Sequence, residues 1–237
     1  MRLQPQVLRG ENRRNPGGGL RHTGGVKHRF RDRADAGARL ADAMPAGLDD
    51  PLVLALPRGG VPVARVVADR LGAPLDVLVA RKIGAPSQPE LGIGAIAEGG
   101  AAVVHRDTMR ALRLTESDFR QIVEREQAEL RRRIERYRGG RPLPQIRGRD
   151  VVLVDDGLAT GVTAEAALRA LRARYPKRLV LAVPVGSPDT TRRLVPPADE
   201  VVCVVSTRHL TAVGAWYHDF TQTTDDEVLE LLASGAV

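Results

Sequence analysis

Two adjacent aspartates, followed by a run of small residues, have the types and spacing that favour ligand chemistry. Residues 151–154 are continuously apolar and predict a buried strand, and Asp155 and Asp156 stand between its end and a turn that closes at Thr163. The turn's backbone N–H groups, its hydroxyls and the start of the next helix converge as an anion site. Because carboxylates repel anions, we expect the aspartates to bind sugar hydroxyls or Mg²⁺. The motif therefore predicts a ligand with a phosphate beside a diol.

The elements that must position this motif alternate along the chain. Apolar runs bounded by turn residues occupy residues 52–56, 75–80, 151–154, 179–185 and 200–205. Helical patterns occupy residues 61–71, 163–174, 188–194 and 225–232. This alternation is typical of βαβ units, and strands that are apolar throughout are covered on both faces. We therefore predict an α/β fold with a five-stranded parallel sheet flanked by helices.

Residues 83–149 depart from this alternation. Glycines and prolines in the first part of the segment predict a mobile loop and a short hairpin. A helix with one apolar stripe is predicted over residues 115–138, where pairs such as Glu129 with Arg133 favour a solvated face over an RNA contact. We assign residues 27–48 and 83–145 to a small hood subdomain, within one domain of residues 27–237.

The net charge of +7 is confined to the N-terminal part of the chain. Residues 1–33 hold nine Lys and Arg against two acidic residues, so the remainder is neutral. A stretch rich in Gly, Asn and Arg and poor in apolar residues predicts a disordered tail over residues 1–26, with a transit peptide as the alternative. Because the excess charge lies within residues 1–33, nucleic-acid binding by the rest of the domain is disfavoured.

Several classes of protein are disfavoured by what the sequence lacks. No apolar run reaches the ~18 residues that span a membrane, and there is no signal-peptide pattern, so we expect a cytoplasmic protein. The single cysteine, Cys203, lies in an apolar run and is predicted to be a buried hydrophobe. Histidines without metal spacing and the lack of a Gly-x-Ser-x-Gly motif disfavour a zinc enzyme and an α/β-hydrolase.

The sequence VVLVDDGLATGVT, at residues 151–163, resembles the phosphoribosyl pyrophosphate signature of type I phosphoribosyltransferases. In that family the acidic pair binds the ribose 2- and 3-hydroxyls and the following loop binds the 5-phosphate. The resemblance implies that Asp155 and Asp156 hold the ribose and, mainly through substrate and water, Mg²⁺. It implies further ligand contacts from Gly157, Ala159, Thr160, Gly161, Val162 and Thr163. The similarity extends over about residues 28–235 and implies the family's fold.

A second stretch falls where this family binds pyrophosphate. The sequence LPRGG, at residues 56–60, follows the first predicted strand and is similar to the pyrophosphate loop. The resemblance implies a non-proline cis peptide and contacts to the leaving group from Arg58, Gly59 and Gly60. An ordinary turn is the alternative.

A third stretch follows the second predicted strand. The resemblance implies that Arg81 and Lys82 face the pyrophosphate and act in catalysis with the acidic pair, with solvated charges at a strand end as the alternative. In the family the next loop, here about residues 83–94, closes over the site and excludes water. Glu90 and Glu98 are further candidates on this loop.

The acceptor side of the site has the weakest signal. Trp216, Tyr217 and Phe220 form an aromatic cluster that either stacks on a nucleobase-like acceptor or closes an edge of the core. Ala159 stands where enzymes for 6-oxopurines carry an acidic base, so guanine and hypoxanthine are disfavoured, and an adenine-like or pyrimidine-like acceptor is left open.

The resemblance as a whole implies an enzyme of nucleotide metabolism or salvage. It would transfer the 5-phosphoribosyl group from phosphoribosyl pyrophosphate to a nitrogenous base and release pyrophosphate, with Mg²⁺ as cofactor. A non-catalytic regulator that senses phosphoribosyl pyrophosphate is the alternative, and homodimerisation is left open.

Overall fold

A computed structural model of the chain describes residues 6–9, 29–86, 88–100 and 102–234. The strands are β1 (Gln6–Arg9), β2 (Leu52–Ala55), β3 (Leu75–Val77), β4 (Ala80–Ala85), β5 (Gln88–Ala97), β6 (Val103–Val104), β7 (Asp150–Val154), β8 (Arg178–Gly186) and β9 (Glu200–Ser206). The helices are α1 (Arg33–Asp42), α2 (Gly60–Leu71), α3 (Arg106–Ala111), α4 (Glu116–Arg138), α5 (Val162–Arg172), α6 (Pro188–Leu194) and α7 (Asp225–Ala233), with a 3₁₀ turn at Val213–Trp216.

The main sheet has the order β1-β9-β8-β7-β2-β3, and its last five strands are parallel to one another. This confirms the predicted five-stranded parallel sheet. Every residue of β7 is buried, as expected for a central strand that is covered on both faces. Helices follow β2, β7 and β8, as the alternating pattern predicts.

The main sheet also contains a strand that the sequence does not predict. Gln6–Arg9 pairs antiparallel with β9, with Val7 opposite Val202 and Leu8 opposite Val201. These four residues fall within the predicted disordered tail, and the structure places them in a short edge strand. The rest of residues 1–28 lies outside the described residues.

The two faces of the sheet separate the core into two clusters. Val152 and Val154 of β7 pack with α2, whereas Val151 and Leu153 pack with α5. This division follows from the alternation of side chains along a strand. The alanine-rich face of α5 is fully buried at Ala166 and Ala167. Cys203 is buried in the same cluster as α5, as predicted.

A separate antiparallel sheet of order β4-β5-β6 stands where the mobile loop and short hairpin are predicted. Its hairpin is longer than predicted, because Ile83, Ile93 and Ala95 are buried and give β4 and β5 an apolar face. A Cβ atom on Gly94 would lie 2.3 Å from the Val103 carbonyl oxygen, so this glycine permits the close approach of β6. Gly94, which suggested a loop in the sequence, therefore serves strand packing.

Helix α1 was not predicted, and it lies in the stretch assigned to the hood. It packs against α2, where a Cβ on Gly37 would lie 2.8 Å from the Val63 carbonyl oxygen. The long helix α4 packs on β4 and β5 and begins at a capping box between Thr115 and Asp118. Across the described part of the chain, no helix is both long and apolar enough to cross a membrane.

Candidate functional site

The acidic pair lies directly after β7, at the carboxyl edge of the main sheet. The Asp156 backbone N–H donates to Asp155 Oδ1 at 2.9 Å, which fixes the two carboxylates relative to each other. Burial raises the pKa of the Asp155 carboxyl well above its ordinary value, and the neighbouring Asp156 charge adds to this. Burial also raises the pKa of Asp156, but the Arg33 guanidinium opposes this effect. The pair is therefore a concentrated, partly desolvated negative charge that favours a polar or cationic ligand group.

The predicted pyrophosphate loop lies next to the acidic pair because β2 and β7 are neighbours, with Ala55 opposite Val154. The peptide between Pro57 and Arg58 is cis, as the family resemblance implies. A Cβ on Gly59 would lie 1.9 Å from Asp156 Oδ2, and one on Gly60 would lie 2.8 Å from the Val154 carbonyl oxygen. Glycine is therefore required at both positions for the loop to approach the aspartates.

The side chain of Arg58 contacts α7. Its Nη1 lies 3.7 Å from Asp225 Oδ1, which also accepts a hydrogen bond of 2.5 Å from the Tyr137 hydroxyl. Arg58 is not among the residues that line the cleft described next, in contrast to its neighbours Pro57 and Gly59. In this structure Arg58 thus contributes its backbone to the loop, and its guanidinium pairs with Asp225 and not with the acidic pair.

A cleft of about 430 Å³ joins the predicted site residues. It is lined by Leu56, Pro57, Gly59, Ala80, Arg81, Lys82, Arg133, Asp155, Asp156 and Thr163. The structure therefore brings together the acidic pair, the pyrophosphate loop, the basic pair of β4 and Thr163. Thr163 is the last residue of the predicted phosphate-binding turn, residues 157–163, which we call the phosphate turn. We call Arg81, Lys82 and Arg133 the cationic set; its third member comes from α4 and was read from the sequence as part of a solvated face.

Two members of the cationic set, Arg81 and Arg133, are held by glutamates of α4. Arg81 Nε donates to Glu126 Oε2 at 2.6 Å, and its Nη1 lies 3.6 Å from Glu129 Oε1. Arg133 Nε donates to the same Glu129 oxygen at 3.0 Å. The Glu129 carboxylate is held ionised, since its hydrogen bonds with Arg132 and Arg133 lower its pKa from 4.5 to about 2.

Within the phosphate turn, Gly161 has a φ of 71° and is the N-cap residue of α5. A Cβ at this position would lie 2.6 Å from Thr190 Cγ2, so the turn passes close to α6. Two side chains of α6 also hold the turn: Thr190 Oγ1 donates to the Ala159 carbonyl at 3.3 Å, and Arg193 Nη2 donates to the Thr160 carbonyl at 2.5 Å. This bracing fixes the turn before any ligand arrives.

Members of the predicted phosphate-binding stretch differ in exposure. Ala159 and Thr160 are exposed, whereas Val162 is buried in the α5 cluster. Gly157 is needed for packing, because a Cβ there would lie 2.5 Å from Val213 Cγ1. Among the phosphate-turn residues, Thr163 is the one that lines the cleft.

Arg33 is a site residue that the sequence did not indicate. Its Nε and Nη2 both lie 3.0 Å from Asp156 Oδ2, and its Nη1 donates to the Thr221 carbonyl at 2.7 Å. The guanidinium carbon lies 4.0 Å from the centre of the Phe220 ring. Arg33 therefore occupies one carboxylate oxygen of the acidic pair and ties it to the chain after the aromatic cluster.

The predicted acceptor cluster lies behind the acidic pair. The Tyr217 hydroxyl donates to the Asp156 carbonyl at 2.7 Å, and its ring centre is 5.3 Å from Phe30 and 4.9 Å from Phe220. Trp216 and Tyr217 are buried, at 8% and 3% exposure. None of the three predicted aromatics is among the cleft-lining residues. The structure thus uses this cluster to support Asp156 and Arg33, which corresponds to the core-closing alternative.

Glu98, a candidate from the predicted loop, is not among the cleft-lining residues. Glu98 pairs with the buried Arg138 below the small sheet, and the Glu90 side chain lies outside the described residues. Among the residues the structure describes, no three His, Cys, Asp or Glu side chains gather in a way that would hold a metal ion. Any Mg²⁺ near the acidic pair therefore needs oxygen ligands from the substrate or water.

Comparison with known proteins agrees with this geometry. A family model described as the phosphoribosyl transferase domain matches residues 32–219. Two curated proteins of Mycobacterium tuberculosis, from strains CDC 1551 and H37Rv and provisionally named phosphoribosyl transferases, are 49% identical over 205 residues. These matches cover 86% of this chain and 46% of each relative, so the chain spans about half the length of the curated relatives it matches.

A solved structure is similar over most of the chain. The crystal structure of TT1426 from Thermus thermophilus is 48% identical, with a TM-score of 0.74, and the match covers 88% of this chain and 100% of that one. The five-stranded parallel sheet flanked by helices, with a separate small antiparallel sheet, is the fold of type I phosphoribosyltransferases. The match over residues 32–219 shows that the chain belongs to the phosphoribosyl transferase domain family.

Proposed function

We propose that this chain transfers the 5-phosphoribosyl group of phosphoribosyl pyrophosphate to a nitrogenous base and releases pyrophosphate. The observation that carries the proposal is one cleft that contains both the acidic pair and the cationic set. A ligand with only a phosphate would be repelled by the aspartates, and a ligand with only a sugar would not explain three cations in the same cleft. Phosphoribosyl pyrophosphate satisfies both groups, because its diol lies between two phosphate-bearing ends.

In the proposed reaction, the main task of the protein is to stabilise the charges that develop on the ribose ring and on the leaving group. The bond between ribose C1 and the pyrophosphate oxygen breaks with its electron pair leaving on pyrophosphate, while an acceptor nitrogen bonds to C1 and releases a proton. The ring gains positive charge as the leaving oxygen gains negative charge. The acidic pair would hold the diol by accepting its hydrogen bonds, and Arg81 and Lys82 would hold the leaving group.

Mg²⁺ is the cofactor that this site fits. One oxygen of Asp156 is already engaged by Arg33, and one oxygen of Asp155 accepts from the Asp156 N–H. The two remaining carboxylate oxygens suit a cation that keeps most of its ligands from substrate phosphates and water, as Mg²⁺ does. When bound, the ion would neutralise part of the pyrophosphate charge.

The acceptor is proposed to be a base other than a 6-oxopurine. Ala159 is exposed on the phosphate turn and offers no carboxylate to take a purine proton. Trp216 and Tyr217 are too buried to stack on a ligand without rearrangement. The burial of these two rings therefore gives no support to an acceptor pocket at the aromatic cluster.

The hairpin of β4 and β5 is proposed to close over bound substrate, because it carries Arg81 and Lys82 at its base. Hydrogen exchange of peptides from residues 83–94 should slow when Mg²⁺ and phosphoribosyl pyrophosphate are added. Peptides from α3, whose residues do not line the cleft, serve as the control. Unchanged exchange in the hairpin would identify it as a rigid part of the hood.

Pyrophosphate release tests the proposed activity. The protein is incubated with Mg²⁺, phosphoribosyl pyrophosphate and each member of a panel of adenine-like, pyrimidine and 6-oxopurine bases, beside the variant with Asp155→Asn and Asp156→Asn. Release that depends on one base and is lost in the variant supports the transferase. Tight binding of phosphoribosyl pyrophosphate without release for any base would support the sensing regulator instead.

A further inference from the structure

Helix α4 presents one stripe of side chains to the leaving-group side of the cleft. Glu126, Glu129, Arg133 and Tyr137 are spaced three or four residues apart and therefore share a helix face. The two glutamates hold Arg81 of β4, and Tyr137 donates to Asp225, the partner of Arg58. Arg133 stands between these contacts and lines the cleft itself. The stripe thus runs along elements that the proposed function assigns to pyrophosphate.

Arg132 shows that lining the cleft is specific to Arg133. Both arginines follow Glu129 on the same helix, and both donate to its carboxylate, through Arg132 Nε at 2.6 Å and Arg133 Nε at 3.0 Å. Yet Arg132 is 58% exposed and does not line the cleft, whereas Arg133 is 28% exposed and does. If the arginines of α4 only faced solvent, Arg133 would not line the same cleft as the acidic pair.

We propose that Arg133 binds the leaving pyrophosphate, as a third cation that the hood helix adds to Arg81 and Lys82. This inference rests on the proposed function. Arg133 meets Glu129 through Nε, and a guanidinium has two further nitrogens with which it can bind a phosphate in a fork. Glu126 and Glu129 hold Arg81 and Arg133 in place before the polyanion binds. The leaving-group site is therefore shared between the small sheet and α4.

The inference predicts which ligands lose affinity when Arg133 is changed. Calorimetry with Mg²⁺ compares pyrophosphate, phosphoribosyl pyrophosphate and ribose 5-phosphate, which has the diol and the phosphate but no pyrophosphate. Arg133→Ala should weaken binding of the first two ligands by at least about tenfold, the effect of losing one charge-assisted hydrogen bond. Binding of ribose 5-phosphate should change less than about twofold, because the acidic pair and the phosphate turn are intact.

Matched variants separate this role from a structural one. Arg132→Ala removes the same charge and another partner of Glu129, so it should leave all three affinities within about twofold. Arg133→Lys keeps the charge without the fork and should fall between wild type and Arg133→Ala. If Arg133→Ala does not fold, Arg133→Gln and Arg133→Lys provide the same comparison, and melting temperatures verify folding in every case.

The outcomes distinguish failure of this inference from failure of the proposed function. Wild-type binding of phosphoribosyl pyrophosphate with no loss in Arg133→Ala would overturn the role of Arg133 alone. An equal loss for ribose 5-phosphate, or an equal loss in Arg132→Ala, would do the same and would show a structural effect. A wild-type protein that binds neither phosphoribosyl pyrophosphate nor pyrophosphate would overturn both proposals.

Discussion

The acidic pair and the cationic set line the same cleft but are positioned by different means. The aspartates follow a strand that is buried along its whole length, and the neighbouring loop approaches them through glycines that tolerate no side chain. The cations are carried by a strand of the small sheet and by α4, and ion pairs between long side chains connect these elements. One part of the site depends on backbone packing and the other on exchangeable charge pairs.

This difference predicts how each part responds to change. Substitutions near the acidic pair act on groups with little freedom to move, so their effects on binding should be large and insensitive to salt. Ion pairs of partly exposed side chains contribute less and are screened by salt. Arg81 and Arg133 can therefore exchange their glutamate partners for a ligand, whereas the acidic pair must be preformed.

The largest effect is expected from replacing both aspartates. Asp155→Asn with Asp156→Asn should abolish Mg²⁺-dependent binding of phosphoribosyl pyrophosphate, because the amides cannot hold the cation and accept fewer hydrogen bonds from the diol. Burial raises the pKa of both carboxyls, so the cost of their ionisation to folding grows as the pH rises from the ordinary aspartate pKa through the raised values. The two amides should therefore not lower the melting temperature at pH 7. Calorimetry and thermal unfolding measure the two effects. Unchanged affinity in the folded double variant would refute the ribose assignment.

A smaller loss is expected at Arg33, which joins the acidic pair to α1. Arg33→Ala should weaken binding of phosphoribosyl pyrophosphate by about 10- to 100-fold, since it removes a charged partner that holds Asp156 Oδ2. Arg39→Ala is the control, because Arg39 lies on the same helix and pairs with Asp35 instead. Arg33→Lys should recover only part of the affinity, because Lys cannot bridge Asp156 and Thr221. Equal affinities for the Arg33 and Arg39 variants would show that Asp156 needs no such support.

A still smaller effect, on stability, is expected at the glutamate that serves the cationic set. Glu129→Gln should lower the free energy of unfolding at pH 7 by about 1 kcal/mol, the upper range for partly exposed ion pairs. The pKa of Glu129 is lowered from 4.5 to about 2, so the wild type's advantage is present above the first value and is lost as the pH falls through the second. Urea unfolding at several pH values measures this, with Glu124→Gln on the exposed side of α4 as control. An advantage that persists at pH 2 or in 1 M salt would contradict an ion-pair origin.

The same contrast explains how much the sequence could predict. The acidic pair, its turn and the strand before them are contiguous, so local pattern and turn chemistry were enough to place them. The pairing of Arg33 with Asp156 spans 123 positions and depends on how α1 packs, which no local pattern contains. The sequence also could not show which arginine of α4 faces the cleft, since Arg132 and Arg133 are adjacent in one run of arginines. Only the packing of α4 against β4 separates them.

The hairpin and the aromatic cluster show the other limit. Gly94 suggested a loop in the sequence. In the structure it lies within β5 and lets β6 approach closely, which a side chain at this position would prevent. Tyr217 suggested a ligand platform, but its hydroxyl is satisfied by the Asp156 carbonyl. The loop interpretation was wrong for Gly94, whereas for Tyr217 the contacts correspond to one of the two alternatives that the sequence left open. In both places the residue's neighbours in space are distant in sequence, so local pattern could not decide its use.

The smallest effect is expected at the edge of the main sheet that lies away from the cleft. Deleting residues 1–26 removes β1, which is separated from β7 by β9 and β8, so affinity for phosphoribosyl pyrophosphate should be unchanged. The melting temperature should fall slightly, by about 2–4 °C for each kcal/mol that a four-residue strand contributes in a protein of this size.

The deletion should also expose the backbone groups of β9 that pair with β1, next to Val201 and Val202. An uncovered apolar edge strand favours pairing with another chain, so light scattering should detect concentration-dependent association of the truncated protein. Deletion of residues 1–5 alone keeps the strand and is the control for both measurements. A loss of ligand affinity in the longer deletion, but not in the shorter one, would contradict this prediction and show that residues 6–26 contribute to the cleft, although β1 lies at the far edge of the sheet from β2.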